Sequence, residues 1–110
     1  MHNTIPNKVV RKIITDILIE RSNIEMETAN ELQEKEMKDL GVILNYSSEI
    51  KCTSAGTRII ADEISEGTIS VEEAIMEILT KEEREESKNR CIEWIKENQK
   101  NKIEKDEYNR

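Results

Sequence analysis

The sequence has few of the residues from which active sites are usually built. It contains a single histidine, His2, and its three glycines match neither a phosphate-binding loop nor a dinucleotide fingerprint and favour helix ends instead. One terminal histidine provides no Ser/His or Cys/His pair and no histidine-rich metal site. Adjacent acids such as Glu72 and Glu73 point to different sides of a helix, so they do not form an acid–base pair. We therefore predict a protein that is not an enzyme and has no metal or cofactor.

Aromatic residues and long apolar runs are also scarce. The 110 residues include no Phe, one Trp and two Tyr, and 35% hydrophobic residues support a modest aliphatic core in one domain. No stretch resembles a signal peptide or a membrane span, so we expect no membrane association. Cys52 and Cys91 lack the spacing of metal ligands. They are expected to be free, partly buried thiols in the cytoplasm, with one disulfide between them as the alternative.

Charge is abundant and unevenly distributed. Charged residues make up 37% of the chain, and the formal charge of −7 disfavours binding to nucleic acid or to an anionic membrane. Residues 1–24 hold four basic and two acidic side chains, a net of +2, whereas residues 61–86 hold two basic and ten acidic ones, a net of −8. This separation of charge indicates either complementary charges on helices that pack together or a surface that a partner recognises. As a candidate partner-binding surface we define the acidic face: Asp62, Glu63, Glu66, Glu72, Glu73 and Glu77.

Apolar residues recur at helical spacing through the N-terminal third. The stripe from Val9 to Leu18 has spacings of three and four and predicts a helix that ends near Arg21. Ser22 follows as a predicted break, after which a looser pattern predicts a second helix that ends near Gly41. Residues 4–41 are therefore predicted to be an N-terminal helical pair.

Residues 42–80 are predicted to form a central helix-turn-helix unit. Residues 42–50 are interpreted as helical, because no second alternating segment could pair with them as a strand. Thr53 or Ser54 is then predicted to open a short helix that ends at Glu66.

Gly67 supplies a helix stop, and Ser70 with Glu73 forms a capping box that starts the next helix. Residues 81–110 are predicted to form a long charged C-terminal helix with a frayed end. The whole chain, 1–110, is therefore predicted to be a single all-α domain, a small bundle of four to five helices. The outline of residues 54–79 does not predict DNA binding, because the second helix carries acids where a recognition helix needs basic or amide side chains.

The stretch 42–79 resembles the VbhA-type antitoxins, which inhibit Fic toxins. Gly67-Thr68-Ile69-Ser70-Val71-Glu72-Glu73-Ala74-Ile75 matches the family's Gly-containing turn and the start of its final helix, and the same register puts Glu49 on the inhibitory glutamate. The family motif is Ser or Thr, three residues, Glu, then Gly or Asn. Here it corresponds to Asn45-Tyr46-Ser47-Ser48-Glu49-Ile50, so Asn45 and Ile50 depart from it.

The resemblance implies an inhibitory mechanism. In the family, the glutamate pairs with a toxin arginine that otherwise binds the γ-phosphate of ATP, and adenylyl transfer is blocked. Here Glu49 would have that role, Asn45 would orient the helix, and Tyr46 would anchor it on the Fic partner. The alternative is that the three residues have no inhibitory role: Glu49 is then a surface acid, Tyr46 a half-buried core residue and Asn45 a helix-end residue.

Two other functions fit the composition. The first is a phage or mobile-element inhibitor, anti-CRISPR-like, whose acidic face covers the nucleic-acid channel of a host defence nuclease. The second is a self-associating helical protein, a homodimer formed by the stripe 9–18 and the face of Trp94 and Ile95.

Overall fold

The computed structural model describes the backbone of residues 5–108 and the side chains of residues 5–99, so His2 lies outside it. The helices are α1 (Asn7–Leu40), α2 (Asn45–Glu66), α3 (Val71–Glu73), which continues as a π-helical turn (Ala74–Ile78), and α4 (Lys81–Tyr108). The chain is 87% helical, with no strand among the described residues. The prediction of an all-α protein is confirmed.

Helices α1 and α2 form a long antiparallel hairpin with a seam of small side chains. The seam residues recur every seven positions, the spacing that keeps one face of each helix towards the other. Their small size lets the two backbones approach closely. The buried small residues of this seam are Ser22 and Ala29 on α1, and Ser47, Ser54 and Ala61 on α2.

Polar groups in the seam bond directly across the hairpin. Ser22 Oγ donates to the carbonyl of Ser54 at 3.0 Å, and Ser54 Oγ donates to the carbonyl of Ser22 at 2.7 Å. Thr57 Oγ1 donates to Glu25 Oε1 at 3.0 Å. Because these groups are buried, they are satisfied in one register of the two helices only.

The apolar core lies at the other end of the hairpin. There the first third of α1 meets the end of α2, the short helix α3 and the π-helical turn. The stripe predicted over 9–18 faces inward. The buried members of the core are Ile14, Ile17, Leu18, Ala61, Ile64, Val71, Ala74 and Leu79.

Gly67 ends α2 as predicted. Its φ of +89° is left-handed, and the N–H groups of Gly67 and Thr68 bond the carbonyls of Ile64 and Glu63 at 3.2 and 2.9 Å, a Schellman motif. Ser70 Oγ then accepts from the N–H of Glu73 at 3.1 Å, so the predicted helix start is also present.

An ion pair docks the start of α4 on α1. Thr80 and Glu83 form a reciprocal capping box, with Thr80 N–H to Glu83 Oε1 at 2.9 Å and Glu83 N–H to Thr80 Oγ1 at 3.2 Å. Arg21 reaches the same carboxylate with Nε at 2.8 Å and with Nη2, which also donates to the carbonyl of Ile78 at 3.0 Å. The guanidinium of Arg21 thus connects α1 with the π-helical turn and with the start of α4.

Two predicted helix breaks are wrong. The N-terminal pair predicted over 4–41 is one helix, because α1 continues through Ser22, whose hydroxyl is engaged across the seam and does not compete for its own helix backbone. The break at Thr53 or Ser54 is also absent. Thr53 Oγ1 instead donates to the carbonyl of Glu49 at 3.0 Å within α2.

Three smaller expectations also change. Residues 42–44 are not helical, since Gly41 takes a left-handed φ of +72° and reverses the chain after α1. Gly56 lies inside α2 and not at a helix end. Cys52 is exposed, whereas Cys91 is half-buried, and both thiols are free.

Candidate partner-binding site at the hairpin tip

The connection between α1 and α2 displays large apolar side chains to solvent. Ten large hydrophobic residues are exposed in the described part of the chain, and six of them lie within residues 37–46, with exposed fractions of 46–65%. Apolar residues so concentrated mark an interaction surface more often than scattered ones do. We call this set the tip surface: Met37, Leu40, Val42, Ile43, Leu44 and Tyr46.

Glu36 holds the tip surface in place. Its Oε2 accepts from the N–H of Leu44 at 2.9 Å and from Ser47 Oγ at 2.8 Å, and Ser47 is fully buried. Helix α2 has no side-chain cap of its own, because Leu44 stands at the N-cap position. A carboxylate from α1 therefore binds the N–H of the N-cap residue, the contact that a Glu or Gln three residues into the helix makes in a capping box.

The three residues predicted to inhibit a partner lie within the first two turns of α2. Asn45 and Glu49 are four residues apart and Tyr46 and Glu49 three, so both neighbours lie beside the carboxylate on the helix surface. Asn45 and Glu49 are exposed, and Tyr46 is 65% exposed, so it is not a core residue. The Glu49 carboxylate has no hydrogen bond or ion pair among the described side chains.

The acidic face divides into two groups on either side of Gly67. Asp62 and Glu66 lie one turn apart at the end of α2, and Glu73 and Glu77 lie one turn apart beyond it. Glu63 is half-buried and the other five members are exposed. None of the six forms an ion pair within the described part of the chain.

The basic residues of α1 bind other groups. Arg11 Nη1 donates to the carbonyls of Ile64 at 2.9 Å and Ile69 at 3.2 Å, so it stabilises the Gly67 turn. Lys12 pairs with Asp16 at 3.2 Å, and Arg21 pairs with Glu83. The acidic face is therefore not neutralised by the basic N-terminal region.

Glu83 and Cys91, both outside the tip, have shifted pKa values. Burial disfavours the charged form of Glu83, but the hydrogen bonds and charge of Arg21, with the bonds from Thr80, outweigh burial and hold the pKa of Glu83 below its usual range. Burial raises the pKa of Cys91, which a hydrogen bond with Ser87 only partly opposes. Cys91 is therefore a protonated thiol at neutral pH and a poor nucleophile.

Sequence reasoning missed Glu36 and most of the tip surface. No local signal marks Glu36, because its partners lie eight and eleven residues further along the chain. The run Val42-Ile43-Leu44 after a helix-ending glycine was the available signal. The capping box of Thr80 and Glu83 could also have been predicted, because a Thr followed by two residues and then Glu is its sequence signature.

Comparisons with protein-family models, with curated proteins and with solved structures found no match. Within the described residues, no helix combines the length and the apolar character needed to cross a membrane. The same residues contain no cluster of metal-ligating side chains.

Proposed function

We propose that this chain is a non-catalytic, protein-binding inhibitor that presents Glu49 to an arginine of its partner. The observation that carries the proposal is the start of α2, where the exposed and unpaired carboxylate of Glu49 lies beside the exposed Tyr46 and the rest of the tip surface. A partner that buries Tyr46 would exclude water from the Glu49 carboxylate. An arginine can then bind both carboxylate oxygens, a strong and directional contact.

The proposed partner class is a Fic adenylyltransferase, on the basis of the resemblance of residues 42–79. Glu49 would occupy the arginine that otherwise binds the ATP γ-phosphate, so the chain would act as an antitoxin in the cytoplasm. Asn45 precedes Glu49 by one turn and would orient the helix start. Helix α2 is continuous through the inhibitory position, so its rigid axis would fix the direction of the carboxylate.

Affinity capture and one substitution test this proposal. Tagged full-length protein should retain a Fic-domain protein from a lysate of its source organism. Glu49→Gln keeps the side-chain shape and removes the charge, so it should still bind that partner through Tyr46 and the tip surface, more weakly than the parent, and should lose inhibition even at saturating concentrations. Glu66→Gln, which alters an exposed acid at the far end of α2, is the matched control and should inhibit normally. Capture of no Fic protein, or full inhibition by Glu49→Gln, would contradict the proposal.

A second candidate function is the acidic blocker of a nucleic-acid channel. It is supported by the acidic face, whose six carboxylates have no cationic partner in the described part of the chain. Substituting these acids one at a time by Gln should weaken such binding gradually, and added salt should weaken it further. A defence nuclease among the captured proteins would favour this function over the Fic antitoxin.

A further inference from the structure

The tip surface is large enough to form an interface between two copies of this chain. Its six residues are 46–65% exposed, which at roughly 200 Å² for each full residue surface leaves about 600 Å² of exposed area per protomer. Two such surfaces in contact would bury at most about 1,200 Å², the lower end of the range for specific interfaces. A patch of about 600 Å² is at the upper end of what single monomers expose.

The charge around the tip permits two copies to approach. Residues 35–51 hold three basic side chains (Lys35, Lys38, Lys51) and three acidic ones (Glu36, Asp39, Glu49), a net of zero in a chain of net −7. The acidic face begins seventeen residues after Asn45, which corresponds to about 25 Å along α2. That is more than twice the screening length of about 8 Å at physiological salt, so the repulsive charges do not meet.

The tip is also held in shape before contact. Gly41 closes α1 in a left-handed conformation, and the carboxylate of Glu36 fixes the N–H of Leu44. Association therefore orders little backbone, which lowers the entropic cost of forming an interface. By contrast, the stripe 9–18 is committed to the core and is unsuited to the homodimer that the sequence suggested.

We propose that the tip surface is a self-association site, at which two copies of this chain meet tip to tip across a twofold axis. Contact of a patch with itself is the closed arrangement that stops at a dimer. The inference does not rest on the proposed inhibition, but both use Tyr46, so a tip-to-tip dimer would have to dissociate before a partner could bind there.

Analytical ultracentrifugation of the full chain between about 1 and 200 µM tests the inference, because this range covers the micromolar dissociation constants of weak specific interfaces. The parent protein should pass from monomer to dimer. Ile43→Glu places a charge in the tip surface and should raise the dissociation constant at least tenfold. Ile59→Glu is the matched control, because Ile59 is 59% exposed on α2 outside the tip surface and Ile43 is 50% exposed.

Each outcome decides the question. Loss of the dimer in Ile43→Glu alone supports the inference, and Leu40→Ser, which should act in the same direction, replaces Ile43→Glu if circular dichroism shows that variant to be unfolded. A parent protein that stays monomeric overturns the inference, as does a dimer that survives Ile43→Glu or is equally lost in Ile59→Glu. A monomeric parent would leave the proposed inhibition by Glu49 standing.

Discussion

Replacing Glu83 by glutamine should destabilise the protein strongly, because this carboxylate completes two structures at once. It accepts from Arg21 of α1 and from the N–H of Thr80 at the start of α4. The side chains of Arg21 and Glu83 are 27% and 16% exposed, so the pair is mostly screened from water. The substituted amide would retain one acceptor oxygen and would turn its NH₂ group towards the guanidinium.

The magnitude follows from the burial of the pair. Removing one partner of a fully buried ion pair costs about 3–5 kcal/mol, and an exposed pair contributes at most about 1 kcal/mol. For a pair with this partial exposure we expect Glu83→Gln to lower the free energy of unfolding by about 2 kcal/mol near pH 7. Arg21→Met combined with Glu83→Gln should cost less than the sum of the two single changes, since neither charge is then left unpaired.

The effect should depend on pH with a defined sign. The pKa of Glu83 is below its usual value in the folded protein, so the folded state favours the ionised form. This stabilisation is fully present above the unfolded pKa of about 4.3 and is lost as the pH falls through the lower folded pKa. The difference between parent and variant should therefore be constant near neutrality and shrink below about pH 4.

Urea unfolding followed by far-ultraviolet circular dichroism measures this difference. Glu82→Gln is the matched control, because Glu82 is exposed in the same first turn and has no bonding partner among the described residues. It should change the free energy of unfolding by less than about 0.5 kcal/mol. A Glu83→Gln effect as small as that of the control, or one that is undiminished in acid, would refute the reasoning.

Three further predictions concern the hairpin and its turns, and each has its own measurement. In urea unfolding, Gly67→Ala should lower the free energy of unfolding by about 1 kcal/mol, because its φ is +89°. Gly56→Ala should raise it by about 0.5–1 kcal/mol, because Gly56 lies in α2 with nothing within 4 Å of an added Cβ. Ser54→Ala should lower the calorimetric Tm with a loss of about 0.5–1.5 kcal/mol, since it removes the buried hydrogen bond from Ser54 Oγ to the carbonyl of Ser22, and exposed Ser48→Ala should not. Glu36→Ala should speed amide hydrogen exchange at the start of α2 while leaving exchange in the distant core unchanged.

The predictable part of the fold is encoded in local signals. Gly67 and Ser70 mark a helix stop and start within four residues, because each acts on its own backbone, and both act as predicted. The apolar stripe 9–18 predicts the core for a related reason, since helical spacing alone places it on one face.

The unpredicted part depends on groups far apart in the sequence. Ser22 reads as a helix break because serine competes with the helix backbone, but its hydroxyl pairs with Ser54, 32 residues away. A seam of serine and alanine shows no apolar periodicity in the sequence. The sequence pattern of one long helical hairpin therefore resembles that of several short helices. The structure of the tip could not be predicted for a similar reason, because the hydrogen bond that the N–H of Leu44 donates to Glu36 joins residues eight positions apart.

The most direct test of the central proposal is the rate of adenylyl transfer from ATP by the captured Fic protein, at saturating concentrations of this chain. The parent protein and Glu66→Gln should suppress the rate to background. Glu49→Gln, bound to the same extent, should restore it to nearly that of the free toxin. Equal suppression by all three would show that the Glu49 carboxylate is not the inhibitory group and would contradict the account.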